Sequence, residues 1–118
     1  MGYYSSMVLN GVIHTDYDID TIKSIFKDYI NTVKENNRPY MEIYNFVEES
    51  KGMINIETDD TYAKHYADRE LAEFISKIIK EGYHVKIKFI GEDGTTWGYL
   101  ITKDKIFEIE WVERIITD

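Results

Sequence analysis

The chain has 118 residues, no cysteine, one proline, and 22 acidic against 14 basic side chains, for a formal charge of −8. The missing cysteines exclude disulfides, a thiol nucleophile and a Cys-based zinc site. The acidic balance argues against binding to DNA, RNA or anionic membrane, because attraction to phosphate needs clustered Lys and Arg.

An apolar fraction of 43%, with 14% aromatic residues, is enough to build a core, and the length suits one domain over residues 1–118. The opening residues lack a basic n-region and a long apolar run, so no signal peptide is expected. No window approaches the ~20 apolar residues of a membrane span. A cytoplasmic protein is the expectation. Gly2 and Ser6 fit a loose myristoylation pattern, but the residues that follow read as a buried strand. Eighteen Ile against three Leu, with eleven Lys and ten Tyr, suggests an AT-rich gene, as in a low-GC bacterium, its phages or some archaea.

In chain order, residues 3–14 alternate as a strand. Residues 18–36 carry Ile19, Ile22, Ile25, Phe26, Tyr29, Ile30 and Val33 at helical spacing, with Asp18 as N-cap and Asp20 favoured by the helix dipole. Asn36, Asn37 and Pro39 stop that helix. Residues 40–48 and 52–58 read as two strands joined by a hairpin, with Ile54 and Ile56 inward. Residues 68–81 form a second helix with Leu71, Phe74, Ile75, Ile78 and Ile79 on its apolar face. Asp68 is its expected N-cap and Gly82 its C-terminal glycine. Three further strands follow around 83–90, 97–101 and 107–115, with turns at Gly91–Gly94 and Lys103–Lys105. The order β-α-β-β-α-β-β-β predicts an α+β two-layer sandwich, a five- or six-stranded and mostly antiparallel sheet with two helices on one face.

Few patterns carry chemistry. Asp16-Tyr17-Asp18-Ile19-Asp20 has the opening spacing of a calcium loop. Thr21 and Lys27 then stand where such a loop needs Gly and Glu, so no metal is expected there. Asp59-Asp60 reads as an ordinary loop, and Glu92-Asp93 as a hairpin tip too exposed to separate an acid from a base. His14, His65 and His84 lack the i, i+4 pairing of a helical metal site. An enzyme would need Asp59, Asp60, His65 and Arg69 to converge with a shifted pKa. No phosphate loop or nucleophile motif is present. The reading therefore favours a binding protein over an enzyme, keeps an enzyme built on those four residues as a third hypothesis, and expects no cofactor.

Tyr and Trp supply large contact area with a polar tip, as binding hot spots do. The acids concentrate in the first half. Residues 1–60 hold 11 acids and 5 bases, and residues 61–118 hold 11 acids and 9 bases. The expected binding surface is Asp16, Asp18, Tyr40, Tyr44, Glu48, Glu49, Asp59, Asp60, Tyr62 and Tyr66. The expected partner is a basic protein, engaged without direct nucleic-acid or membrane contact. The alternative is a small-molecule-binding or regulatory domain that homodimerises through its sheet face, near Trp97, Tyr99 and Trp111.

The second half also carries Ile54-x-Ile56, Lys64-x-x-Ala67, Leu71-x-x-Phe74-Ile75, Gly82-Tyr83, Gly91-Glu92-Asp93 and Gly98. Over roughly residues 54–112 this resembles a loose set of small uncharacterised bacterial and phage proteins that end in a Gly-Glu-Asp hairpin after a second helix. The resemblance implies a mobile-element or accessory protein without a known activity and assigns no catalytic residue. Small size, acidic charge and aromatics separately suggest a phage-type inhibitor that occludes a basic surface on a host protein.

Overall fold

The computed structural model describes residues 2–58 and 60–111. The fold is α+β. Its elements are β1 (Ser5–Asn10), β2 (Ile13–His14), α1 (Ile19–Ile30), α2 (Arg38–Met41), β3 (Tyr44–Ser50), β4 (Met53–Thr58), α3 (Asp68–Ile78), β5 (Val85–Gly91), β6 (Thr96–Thr102) and β7 (Lys105–Ile109). A 3-10 turn at Glu35–Asn37 precedes α2. Among the described residues every strand pairing is antiparallel. The predicted order of strands and helices holds in outline.

The strands divide into two sheets, four-stranded β1-β5-β6-β7 and three-stranded β2-β4-β3, where one continuous sheet is predicted. The division starts at Gly11. Its φ of 92° lies in the left-handed region, which glycine enters without a Cβ penalty. The predicted strand 3–14 therefore breaks there. Its first part pairs with β5, and Ile13–His14 pairs with β4.

Two other boundaries move for local reasons. Pro39 sits in the first turn of α2, where its fixed φ and missing N–H cost nothing, so residues 38–41 are helical and the strand begins at Tyr44. Predicted α1 runs to residue 36 but ends at Ile30. Arg38 folds back to donate to the carbonyls of Val33 (3.1 Å) and Asn31 (3.0 Å), which satisfies acceptors just past that end. Predicted α3 runs to residue 81 and stops at Ile78. There the Thr15 hydroxyl takes the Ile78 carbonyl at 2.7 Å, and Lys80 N–H donates to the His14 carbonyl at 2.7 Å. Those long-range bonds pull residues 79–80 against the β2 segment.

The core joins the layers. Phe26 of α1, Phe46 of β3 and Phe74 of α3 meet edge to face with centroids 4.8–5.4 Å apart. Ile54 and Ile56 point inward as predicted. On the larger sheet, Val85, Ile87, Phe89, Tyr99 and Ile101 are buried on the face that α3 covers. The last strand ends at Ile109, and the predicted continuation over 112–115 lies outside the described residues.

Candidate functional site

The loop between β2 and α1 faces the β3–β4 hairpin across a cavity of about 480 Å3. Its lining includes Thr15, Asp16, Tyr17, Asp18, Glu48, Lys51, Ile54 and Lys80. That volume lies within the range of small-molecule sites. Thr15 builds one wall. It is buried, its N–H donates to the Gly52 carbonyl (3.0 Å), its hydroxyl takes the Ile78 carbonyl, and the same oxygen receives Tyr17 N–H at 3.2 Å. One threonine thus fixes the hairpin, the end of α3 and the loop relative to one another.

Three acidic residues, Asp16, Asp18 and Glu48, are among those that line this cavity. Asp18 caps α1 by accepting from Thr21 N–H at 2.7 Å, and that bond holds its carboxyl below the usual range. Asp16 pairs with the Lys80 ammonium at 3.5 Å, with both side chains about half exposed or more. Such a pair contributes little and exchanges readily. The Tyr17 ring is exposed beside it. Among the described residues no group of three or more His, Asp or Glu side chains is placed to hold a metal ion.

The remaining predicted binding residues fall elsewhere. Tyr40 packs edge-on against Tyr66 at 4.8 Å, and the Tyr66 hydroxyl accepts from Tyr3 N–H at 2.5 Å. Tyr62 is exposed. Glu49 accepts from the Asn55 amide at 3.4 Å, and Asp60 is exposed with its carbonyl accepting from the Thr58 hydroxyl at 2.7 Å. Asp59 lies outside the described residues. Tyr44 requires a correction. It is only 3% exposed, because it alternates with Phe46 on the buried face of β3, so it offers no surface to a partner.

Tyr44 instead meets His65. The Tyr44 hydroxyl lies 2.5 Å from His65 Nδ1, and the imidazole is 4% exposed between the Tyr44 and Phe89 rings. Burial pushes His65 down to about 4, against the opposing pull of the Asp68 charge, so the ring is neutral at neutral pH. Burial drives the Tyr44 hydroxyl up. His65 Nε2 is buried with no hydrogen-bond partner among the described residues.

Asp68 is also reassigned. Ala67 occupies the N-cap position of α3, and the Asp68 carboxylate accepts from Trp97 Nε1 and the Tyr99 hydroxyl, both at 2.9 Å. It ties the start of α3 to β6. Among the described residues, Asp60, His65 and Arg69 do not converge. Arg69 is exposed and directed to Glu73 and Glu108, Asp60 is exposed, and His65 is buried.

Sequence reasoning missed Thr15, Tyr17, Lys51 and Lys80 as parts of the cleft. Thr15 alone carried a signal, as the polar residue ending the alternation of residues 3–14. The chain matches no family model, and no curated protein or solved structure is significantly similar to it.

Proposed function

We propose that this chain is a binding protein whose cleft between the β2–α1 loop and the β3–β4 hairpin receives basic side chains of a protein partner. The observation that carries this reading is that Asp16, Asp18 and Glu48 all line one cavity. A partner guanidinium can displace Lys80 from Asp16, because Arg bonds a carboxylate through two parallel N–H groups while an exposed ammonium does so as a point charge. Exposed Tyr17 offers a ring face for the same cation. The net charge of −8 steers a basic surface toward the molecule. The biological form of this reading is a cytoplasmic phage or mobile-element inhibitor that covers the basic, nucleic-acid-binding surface of a host protein.

The test is affinity capture from bacterial lysate, comparing the wild-type chain with the Asp16→Asn, Asp18→Asn, Glu48→Gln variant. Asn retains N-cap capacity, so the triple variant keeps α1. A basic protein retained by the wild type at low salt, and lost both from the variant and at high salt, fits the proposal. Capture indifferent to the three substitutions overturns it. The size of the cleft favours one second reading, a small zwitterionic ligand held between the carboxylates and Lys51. Stabilisation of the isolated protein by amino-acid-like compounds, abolished in the same variant, would identify that case.

A further inference from the structure

The open face of the four-stranded sheet differs in chemistry from the rest of this acidic chain. Strand register defines the face. Lys86 lies opposite Leu100 and Lys88 opposite Gly98 across β5–β6, and Leu100 lies opposite Phe107 and Thr102 opposite Lys105 across β6–β7. Directly opposed residues project to the same side. The alternate set, including Ile87, Phe89 and Ile101, is buried beneath α3. The open side therefore carries Lys86, Lys88 and Lys105, and the described strands place no carboxylate on it. In a chain with 22 acids that is a marked segregation of charge.

Two aromatic rings accompany the lysines. Phe107 is 50% exposed. Trp111, just beyond β7, lies over Gly98. A Cβ built on that glycine would sit 2.7 Å from the indole, and the Lys88 ammonium is 5.2 Å from the ring centroid. Glycine at 98 thus makes room for the tryptophan on the open face.

We propose that this face binds single-stranded nucleic acid, with Lys86, Lys88 and Lys105 meeting phosphates and Phe107 and Trp111 stacking on bases. Lysines at alternate positions of one strand stand about 7 Å apart and address successive charges on an extended polyanion. Exposed rings on a sheet add stacking, which a single strand permits and a closed duplex hides. A symmetric pairing of two copies through this face sets lysine rows against each other, which like-charge repulsion opposes. The proposal departs from the expectation drawn from net charge, since contact is decided by the local surface and net charge by the whole. The remaining acids repel the polyanion at long range and keep the affinity modest. Three phosphate contacts set a slope of log affinity on log salt no steeper than about −2.

The test is fluorescence anisotropy with labelled oligo-dT and oligo-U, a duplex of equal length, and an oligo-glutamate peptide, at low salt. Saturable binding of a single strand with Kd below about 10⁻⁴ M is expected. It should weaken about tenfold or more in Lys86→Glu/Lys88→Glu and at least about fivefold in Phe107→Ala. All these positions are at least partly exposed, and circular dichroism confirms that each variant is folded. The Asp16→Asn, Asp18→Asn, Glu48→Gln variant should bind the oligonucleotide undiminished, which separates this proposal from that of the acidic cleft. Absence of binding, equal binding by the lysine variant, or equal affinity for the duplex overturns the proposal. Binding of oligo-glutamate in place of oligonucleotide overturns it in favour of an acidic protein segment. Self-association that the lysine substitutions abolish overturns it in favour of a second copy.

Discussion

A buried histidine pressed against a buried tyrosine makes the stability of this protein depend on pH in a definite direction. His65 is held near 4 in the folded chain against an ordinary value of about 6.5. Above that ordinary value the ring is neutral in both states, and its contribution is complete. As pH falls from 6.5 toward 4, the unfolded chain takes up a proton that the folded chain refuses, so stability is lost over that window. The full loss is about 3 kcal/mol. Asp18 and Asp93 add loss at lower pH, because their hydrogen bonds with Thr21 N–H and the Tyr3 hydroxyl hold both carboxyls below the usual range. Urea denaturation at pH 7, 5 and 4 measures the effect. His65→Asn should be less stable than the wild type at pH 7, yet show a clearly shallower decline between pH 7 and 4. An equal decline in the two proteins would mean that His65 does not control this window.

At the scale of elements, β5 was legible because it alternates cleanly between a buried and an open face. Val85, Ile87 and Phe89 went inward and Lys86 and Lys88 outward as period two requires. Other features were decided by partners distant in sequence. Nothing near residue 79 announces that His14 and Thr15 will capture the end of α3. Nothing near Asp68 distinguishes an N-cap from a carboxylate claimed by Trp97 and Tyr99, some thirty residues on. The cleft was half legible for the same reason. Its acids stood out by charge, while Lys51 and Lys80 join it only through the fold. Gly98 belongs at this scale too. A turn-free glycine inside a strand marks a close approach, and here a Cβ would lie 2.0 Å from the Ile87 carbonyl oxygen as well as against Trp111. Gly98→Ala should cost about 1–3 kcal/mol by forcing β5 and β6 apart. It should also change Trp111 fluorescence in the folded protein. An alanine variant with unaltered melting and emission would show that the sheet accommodates the methyl group.

For the molecule as a whole, the question is whether two sheets joined through one cluster unfold as one. Each sheet is small, and a three-stranded sheet with a two-residue edge strand has little stability alone. What couples them is aromatic. Phe74 on α3 touches Phe26 of α1 and Phe46 of β3. The same helix is bound to β6 through Asp68 and to the β2 segment through Ile78 and Ile79. α3 is therefore the element both sheets share. Phe74 is fully buried, and Phe74→Ala should destabilise the protein by about 3–5 kcal/mol. The distribution of that loss is the sharper measure. If α3 makes the chain one cooperative unit, hydrogen exchange should show amides of β4 and β5 losing protection together and to the same free energy. Exchange in which β3–β4 opens at lower cost while β5 keeps its protection would make the small sheet an independent unit. The acidic cleft, which includes the β3–β4 hairpin, would then loosen while the lysine-bearing face stayed intact, so the two surfaces could be lost separately. Under the coupled arrangement they are lost together, because Thr15, Ile78 and Phe74 tie the cleft and the larger sheet to one helix.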